Sequence, residues 1–337
     1  MNDKFMPSQE GDALPAGPIR VVLTRDIEES VHLVDASIRT IEGVVGSYGD
    51  VARKVIPRSA IKPIQVIPLI LTGAADAYHV TPEEIALGTA SHSAEPVHIA
   101  AVSAWLQRIG LDETHLECGA SRPFSAAEAD RRIAEGETFQ PIHNCCSGKH
   151  TGFLTIAKHL GIDPAGYIDP GHPVQQLVLE SIETFSGVSL AGATTGIDGC
   201  GIPTHALPLE ALARSMAVLA DPTQLEDSIR SAANTAVDAL AANPFWMSGT
   251  DRPELRMASA ASERVVTKTG AEGVFMAALP DRGIGIALKT RDGATRAADL
   301  AIAAVLESLE VIPPGQAVAP LTNAAGTVVG TMQAHLS

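Results

Sequence analysis

A serine stands three residues ahead of a lysine in the stretch Arg58-Ser59-Ala60-Ile61-Lys62-Pro63-Ile64-Gln65. A serine hydroxyl is a weak nucleophile until a base within hydrogen-bond reach takes its proton. A desolvated lysine, or one crowded by a second cation, can be that base. Residues three apart on a helix are surface neighbours, so the spacing predicts Ser59 and Lys62 one above the other. Pro63 would clash with the Ser59 carbonyl four residues back, so a helix is expected to begin at Ser59, with that serine as a half-exposed N-cap. A Ser-x-x-Lys pair also arises about once by chance in a chain of this length, and serine is a common structural cap. The pair gains meaning only from what surrounds it.

Three further stretches carry reactive side chains beside glycine or at turns. Ala90-Ser91-His92-Ser93 packs hydroxyls and an imidazole between two apolar helical segments, as a second catalytic pair or as a capping turn leading into Glu95. Val266-Thr267-Lys268-Thr269-Gly270 ends a strand with a lysine; this is either an exposed strand end or a second cation that favours the neutral, proton-accepting form of Lys62. His143-Asn144-Cys145-Cys146-Ser147-Gly148-Lys149-His150 places cysteine thiolates three residues from a lysine or four from a histidine on one helical face, a pattern that can hold zinc, and Cys200 in Gly196-Ile197-Asp198-Gly199-Cys200-Gly201 could add a donor from a remote loop. Lysine ligates only when neutral. The set lacks paired Cys-x-x-Cys spacing, and free cysteine is commonly a small buried hydrophobe. The glycines around Cys200 predict a backbone that closely approaches another segment or a substrate. Arg58 and Asp198, with His150 beside them, are the charges suited to an α-carboxylate and an α-ammonium, or to structural salt bridges.

Elements must position these groups. Strand alternation covers Ile19 to Thr24, His32 to Ile38 and Gly43 to Tyr48, an opening antiparallel meander. A helix is expected from Ser59 to about Gly73. Helical periodicity with Gly or Pro stops follows at Pro82 to Gly88, Glu95 to Gly110, Ser125 to Gly136, Ser147 to Gly161, Pro173 to Ser186 and Leu207 to Leu219. Strands return at Arg264 to Thr269, Val274 to Leu279 and Gly283 to Thr290, and an amphipathic helix runs from Thr295 to Leu309. The fold class is therefore α/β of the α+β type: a mainly antiparallel sheet flanked by helices, with a long, mostly helical insert. The expected division is a disordered leader over 1–17, one unit over 18–312 and a C-terminal tail over 313–337. The sheet lobe takes about 18–58 and 260–312, and the helical lobe about 75–245.

The chain has 337 residues, 45% of them hydrophobic and only 4% aromatic, which predicts a large core packed from small side chains. A net charge of −15 argues against nucleic acid as a partner. No apolar run approaches the length of a membrane span. Four cysteines in a chain this size do not make a disulfide framework, and a reducing cytoplasm is expected.

The Ser-x-x-Lys turn, the Ser-x-Ser turn and the Lys-Thr-Gly strand resemble, in that order, the three elements of the serine β-lactamase and penicillin-binding protein superfamily. The fuller set, RSAIKPIQ, ASHS, CCSGKH, GIDGCGIPT and TKTGAEG, is similar to the rhizobial-type (class 3) L-asparaginases on the serine β-lactamase-like fold, from about Ile19 to Leu309. That resemblance implies two Ser-Lys tandems, Ser59 with Lys62 and Ser91 with Lys268, and a zinc site on Cys146, Lys149 and Cys200. It also implies a homodimer acting on L-asparagine. The expected reaction gives L-aspartate and ammonia through a serine acyl-enzyme, with Ser59 attacking and Ser91 as the alternative nucleophile. A serine glutaminase or a β-lactam-acting enzyme would use the same serine and lysine. A metallohydrolase would tolerate loss of Ser59, and a non-enzymatic binding protein would release no ammonia.

Overall fold

Strands buried on both faces carry no polar alternation, and the centre of this molecule is made of such strands. The computed structural model describes residues 16–337; of the expected leader, all but the last two residues lie outside that range. Every residue of Val274–Leu279 is buried, as are all but one of Ile284–Thr290. Phe275, Ala277 and Leu279 join one core and Val274, Met276 and Ala278 the other, so successive side chains serve opposite faces. The first core is covered by helix Thr295–Ser308, through Ala297, Ala301, Ile302 and Val305. The second continues into the helical lobe.

The sheet is antiparallel and runs Val318–Thr322, Val328–His335, Ile19–Arg25, Ile27–Arg39, Ile284–Thr290, Val274–Leu279, Val266–Gly270, with Val44–Tyr48 also paired to Ile27–Arg39. Helix Leu209–Ala220 lies directly on it at Gly285, where a Cβ would stand 2.0 Å from Ala217 N. Between its two blocks of strands the chain makes the expected helices, among them Pro82–Leu87, Pro96–Arg108, Ala126–Ala134, Ser147–Leu160 and Pro173–Ser186. An antiparallel sheet flanked by helices, with a long, mostly helical insert, is the arrangement expected from the sequence. No helix among the described residues is long and apolar enough to cross a membrane.

Two expectations need correction. The helix from Ser59 to Gly73 is three pieces: a 3₁₀ turn Arg58–Ile61, then helices Lys62–Gln65 and Ile67–Leu71. Pro63 and Pro68 each lack an N–H, so no continuous ladder can form. Pro57 is the N-cap, and Ser59 sits inside the turn. Residues 313–337 are not a tail. Val328–His335 pairs with Ile19–Arg25 in the register Val22 to Gln333, and Met332 and Ala334 are buried between exposed neighbours. That period of two follows a stretch rich in Pro and Ala, which masks it in the sequence.

Candidate active site

The turn carrying Ser59 is held from below by the strand carrying Lys268. A Cβ on Gly270 would lie 2.7 Å from Pro57 O and 3.1 Å from Ala60 N, so only glycine lets the strand press this closely against the turn. Arg58 opens the turn in a left-handed conformation, φ +53°, which a side chain adopts only at a cost of about 1–3 kcal/mol when its surroundings hold it. The restraint here is an ion pair, Arg58 Nε donating to Asp198 Oδ1 at 2.7 Å. Asp198 Oδ1 also accepts from Gly199 N at 2.7 Å, and Gly201 closes the loop with φ +91°. The predicted glycine-rich approach around Cys200 is thus a tight turn that presents Asp198 to Arg58.

Lys62 is buried, 1% exposed, and its ammonium donates to Ala90 O at 2.5 Å, Ser91 Oγ at 3.2 Å and Cys146 Sγ at 3.1 Å. The short helix Lys62–Gln65 thus carries its lysine to the Ser91 loop, and none of these bonds is to Ser59. Ser59 remains half-buried at the cavity wall. Ser91 is fixed by its own N–H on Met247 O, and His92 N–H on Cys145 O. His92 Nδ1 accepts from Ala94 N, so Nε2 carries the proton and donates to Ser147 Oγ at 2.9 Å. Burial first, then the neighbouring His98, pulls His92 down to about 3, so it is neutral and braces the loop. Helix Pro96–Arg108 starts at Glu95 with no side-chain cap and Ser93 Oγ donates to Ser248 O, so the loop is not the expected capping turn; of the two readings the Ser91–Lys62 contact remains.

Lys268, fully buried, donates to Glu254 Oε1 and to Thr269 O, both at 3.1 Å. Burial draws it down to about 8, against the opposing pull of Glu254. The expected Ser91–Lys268 contact is not among its hydrogen bonds. Glu254 was missed in the sequence because one glutamate in an ordinary helix start carries no signal. Arg252 was missed as well; its guanidinium stacks on Phe124, 4.9 Å from the ring centre.

The cavity, about 630 Å³, is lined among others by Ser59, Ser91, Arg58, Asp198, Cys146, Cys200, Arg252 and Asp299. His150 is placed differently from the other candidates. It is fully buried in helix Ser147–Leu160, where its Nδ1 meets Tyr167 Oη at 2.7 Å. Because Tyr167 Oη accepts from Glu117 N, it donates to His150. Burial and the adjacent Lys149 hold His150 well below the usual histidine range.

Cys146 caps that helix and Lys149 lies one turn in, with Lys149 Nζ 3.0 Å from Cys200 Sγ. Hydrogen bonds from Cys145 and Cys200, helped by Lys62 and Lys149, hold Cys146 well below the usual thiol range. Burial opposes the charge on Lys149, yet the Cys200 and Cys146 sulfurs keep it above the usual amine range. The three proposed zinc donors are therefore brought together, buried, with one thiolate already favoured. No group of three or more His, Cys, Asp or Glu suited to a metal occurs among the described residues, so such a site depends on Lys149. Two thiols and an amine are donors that zinc accepts, but Lys149, held protonated by those sulfurs, ligates only once its proton is lost.

A family model described as L-asparaginase II matches residues 21–334. No curated protein matches the sequence. Among solved structures, Mglu in its L-glutamate-binding form shares 14% identity at a TM-score of 0.46, with 84% of this chain covered. This chain spans 62% of that one, less than two thirds of its length. A Bacillus glutaminase matches at 13% identity and TM-score 0.43, over 83% of this chain and 92% of that one. The Bacillus subtilis glutaminase YbgJ, in a covalent complex with 5-oxo-L-norleucine, matches at 17% identity and TM-score 0.38, over 83% and 87%.

Proposed function

The chain belongs to the L-asparaginase II family, matched over residues 21–334, and from that premise we propose that this amidohydrolase converts L-asparagine into L-aspartate and ammonia. The observation that carries the reading is the convergence on one cavity of two serines with the Arg58–Asp198 pair, the second serine hydrogen-bonded to buried Lys62. An α-amino acid carries one carboxylate and one ammonium. Opening the Arg58–Asp198 pair to receive them replaces one ion pair by two.

In the proposed mechanism Ser59 Oγ attacks the side-chain amide carbon, the C–N bond breaks, and ammonia leaves with the proton that the serine gave up. Water then hydrolyses the β-aspartyl ester and restores the hydroxyl. Lys62 and Ser91 accept and return the proton, and Lys268 adds positive charge from behind the wall formed by Thr269 and Gly270. A second reading, favoured by the 3.2 Å contact between Lys62 and Ser91, makes Ser91 the nucleophile. Zinc on Cys146, Lys149 and Cys200 would order the substrate end of the cavity and add positive charge there. His150 supports this wall from within the core.

A reducing cytoplasm is the reading that the four free cysteines support, and a homodimer is what the family resemblance implies. Ammonia release from asparagine and from glutamine, measured side by side, tests the reading. Faster turnover of glutamine would make the protein a glutaminase, and release from neither would remove hydrolysis altogether.

A further inference from the structure

Lys268 is held by a carboxylate outside every motif. Glu254 is the second residue of helix Pro253–Ala260, where the helix dipole favours a negative charge, and it is fully buried. Its Oε1 accepts from Lys268 Nζ at 3.1 Å, from Thr269 N at 3.3 Å and from Thr269 Oγ1. Thr267 Oγ1 donates to Glu254 O at 3.2 Å, so helix and strand are tied at two points. The other oxygen, Oε2, has no hydrogen-bond partner among the described residues, and the Arg252 guanidinium is 4.0 Å away. A buried ion pair with an unsatisfied oxygen is a poor way to stabilise a fold, since apolar groups of the same shape often do as well or better. Such a pair, buried one residue behind Pro253 and Thr269 of the cavity lining, calls for another use. Lys268 spends two of its ammonium protons on Glu254 Oε1 and Thr269 O and keeps the third.

We propose that Glu254 is a positioning residue for amide hydrolysis, keeping Lys268 protonated and in a single orientation directly behind the cavity wall that Thr269 and Gly270 form. The inference rests on the hydrolase reading given above. The charges that face Lys268 are Glu254 and Arg252 from this helix and Lys62 from the Ser59 turn, with Asp299 beyond Glu254. Strand Val274–Leu279 and helix Pro244–Ser248 contribute no titratable group, and helix Asp227–Ala242 turns Asp238 to Arg264. Of these charges only the Glu254 carboxylate directly contacts the ammonium and favours its charged form.

Burial already draws Lys268 to about 8. Glu254→Gln keeps the shape and an acceptor for Thr269 but removes the charge, so the ammonium should lose its proton about one pH unit lower. Two readouts follow it: the Cε resonance of Lys268 in 13C-lysine-labelled protein, assigned by its loss in Lys268→Arg, and the pH profile of kcat/KM for ammonia release. The expected result is a downward shift of about one unit in both, with a roughly fivefold loss of kcat/KM at about pH 8 and little change in KM. Glu254→Asp, which keeps the charge on a shorter arm, should fall between and partly restore the profile. A folded Glu254→Gln protein with unmoved titration and profile overturns the proposal. If that variant does not fold, a Glu254→Asp protein indistinguishable from the parent overturns it. Failure of the parent to release ammonia would sink the hydrolase reading and with it the catalytic role, while the resonance still tests the pairing.

Discussion

Lys62 Nζ lies 3.2 Å from Ser91 Oγ, 29 positions away in sequence, and makes no hydrogen bond to Ser59, its neighbour three residues back, among the described residues. The serine that the lysine touches is therefore Ser91. Ser59→Ala is expected to lower kcat by roughly a thousandfold or more, as loss of a nucleophile does. Ser91→Ala should cost about a hundredfold to ten-thousandfold through the proton path. Mass spectrometry of a trapped acyl adduct decides between them. An adduct on the peptide containing Ser91 would turn the Lys62–Ser91 contact into the nucleophile and its base.

Gly270→Ala tests how the strand holds the turn. The new methyl would sit 2.7 Å from Pro57 O, a backbone atom that cannot rotate aside, so the turn or the strand must shift. The expected cost is about 1–3 kcal/mol of stability together with a large fall in kcat, since Ser59 rides on the displaced turn. A normal kcat at unchanged Tm would show that the close approach is dispensable.

Asp299, which lines the cavity, gives a pH signature. Burial first, then the nearby Glu254 charge, raises it to about 6 from an ordinary value of 3.8. The folded chain therefore holds this proton more tightly than the unfolded chain. This group's contribution to stability is present below about pH 4 and is lost as the pH climbs to about 6. Asp299→Asn removes the titration. The Tm difference in favour of the variant should be smallest near pH 4 and should grow to a plateau above about pH 6.5. A constant difference across that range would contradict the raised value.

Much of this was legible because local chemistry and tertiary structure agree. Val274–Leu279 and Pro173–Ser186 follow their own periodicity, and the Ser59, Ser91 and Lys268 segments do meet at one cavity. What was not legible depends on long-range geometry. The i, i+3 rule placed Lys62 beside Ser59, but the prolines split the helix and the lysine reaches the Ser91 loop. His150 carries the charge type wanted for a substrate contact, yet its position on helix Ser147–Leu160 turns it into the core against Tyr167. Glu254 lies 14 positions from Lys268, and only the packing of helix on strand brings them together.

The Arg58–Asp198 pair should report on substrate affinity. Asp198 is the natural acceptor for an α-ammonium, and its loss also releases Arg58 from the contact that supports φ +53°. A charged hydrogen bond is worth about 1.5–3 kcal/mol, so Asp198→Ala should raise KM roughly tenfold to a hundredfold. Asp198→Asn, which can still accept from Arg58, should retain the fold and lose the ammonium contact. A parental KM in both variants would remove Asp198 from the substrate site.

Zinc can be tested apart from catalysis. Elemental analysis of the purified protein is expected to give about one zinc per chain, and Cys200→Ala should lose it, because Lys149 and Cys146 alone leave two donors where a structural site normally has four. Lys149→Met removes the third donor without changing either thiol and should bind zinc weakly. If the metal orders the pocket and adds positive charge, chelation raises KM more than it lowers kcat, and added zinc reverses the change. Irreversible loss of kcat on chelation, with the fold intact by circular dichroism, would instead put the metal in the chemical step and take the nucleophile's role from serine.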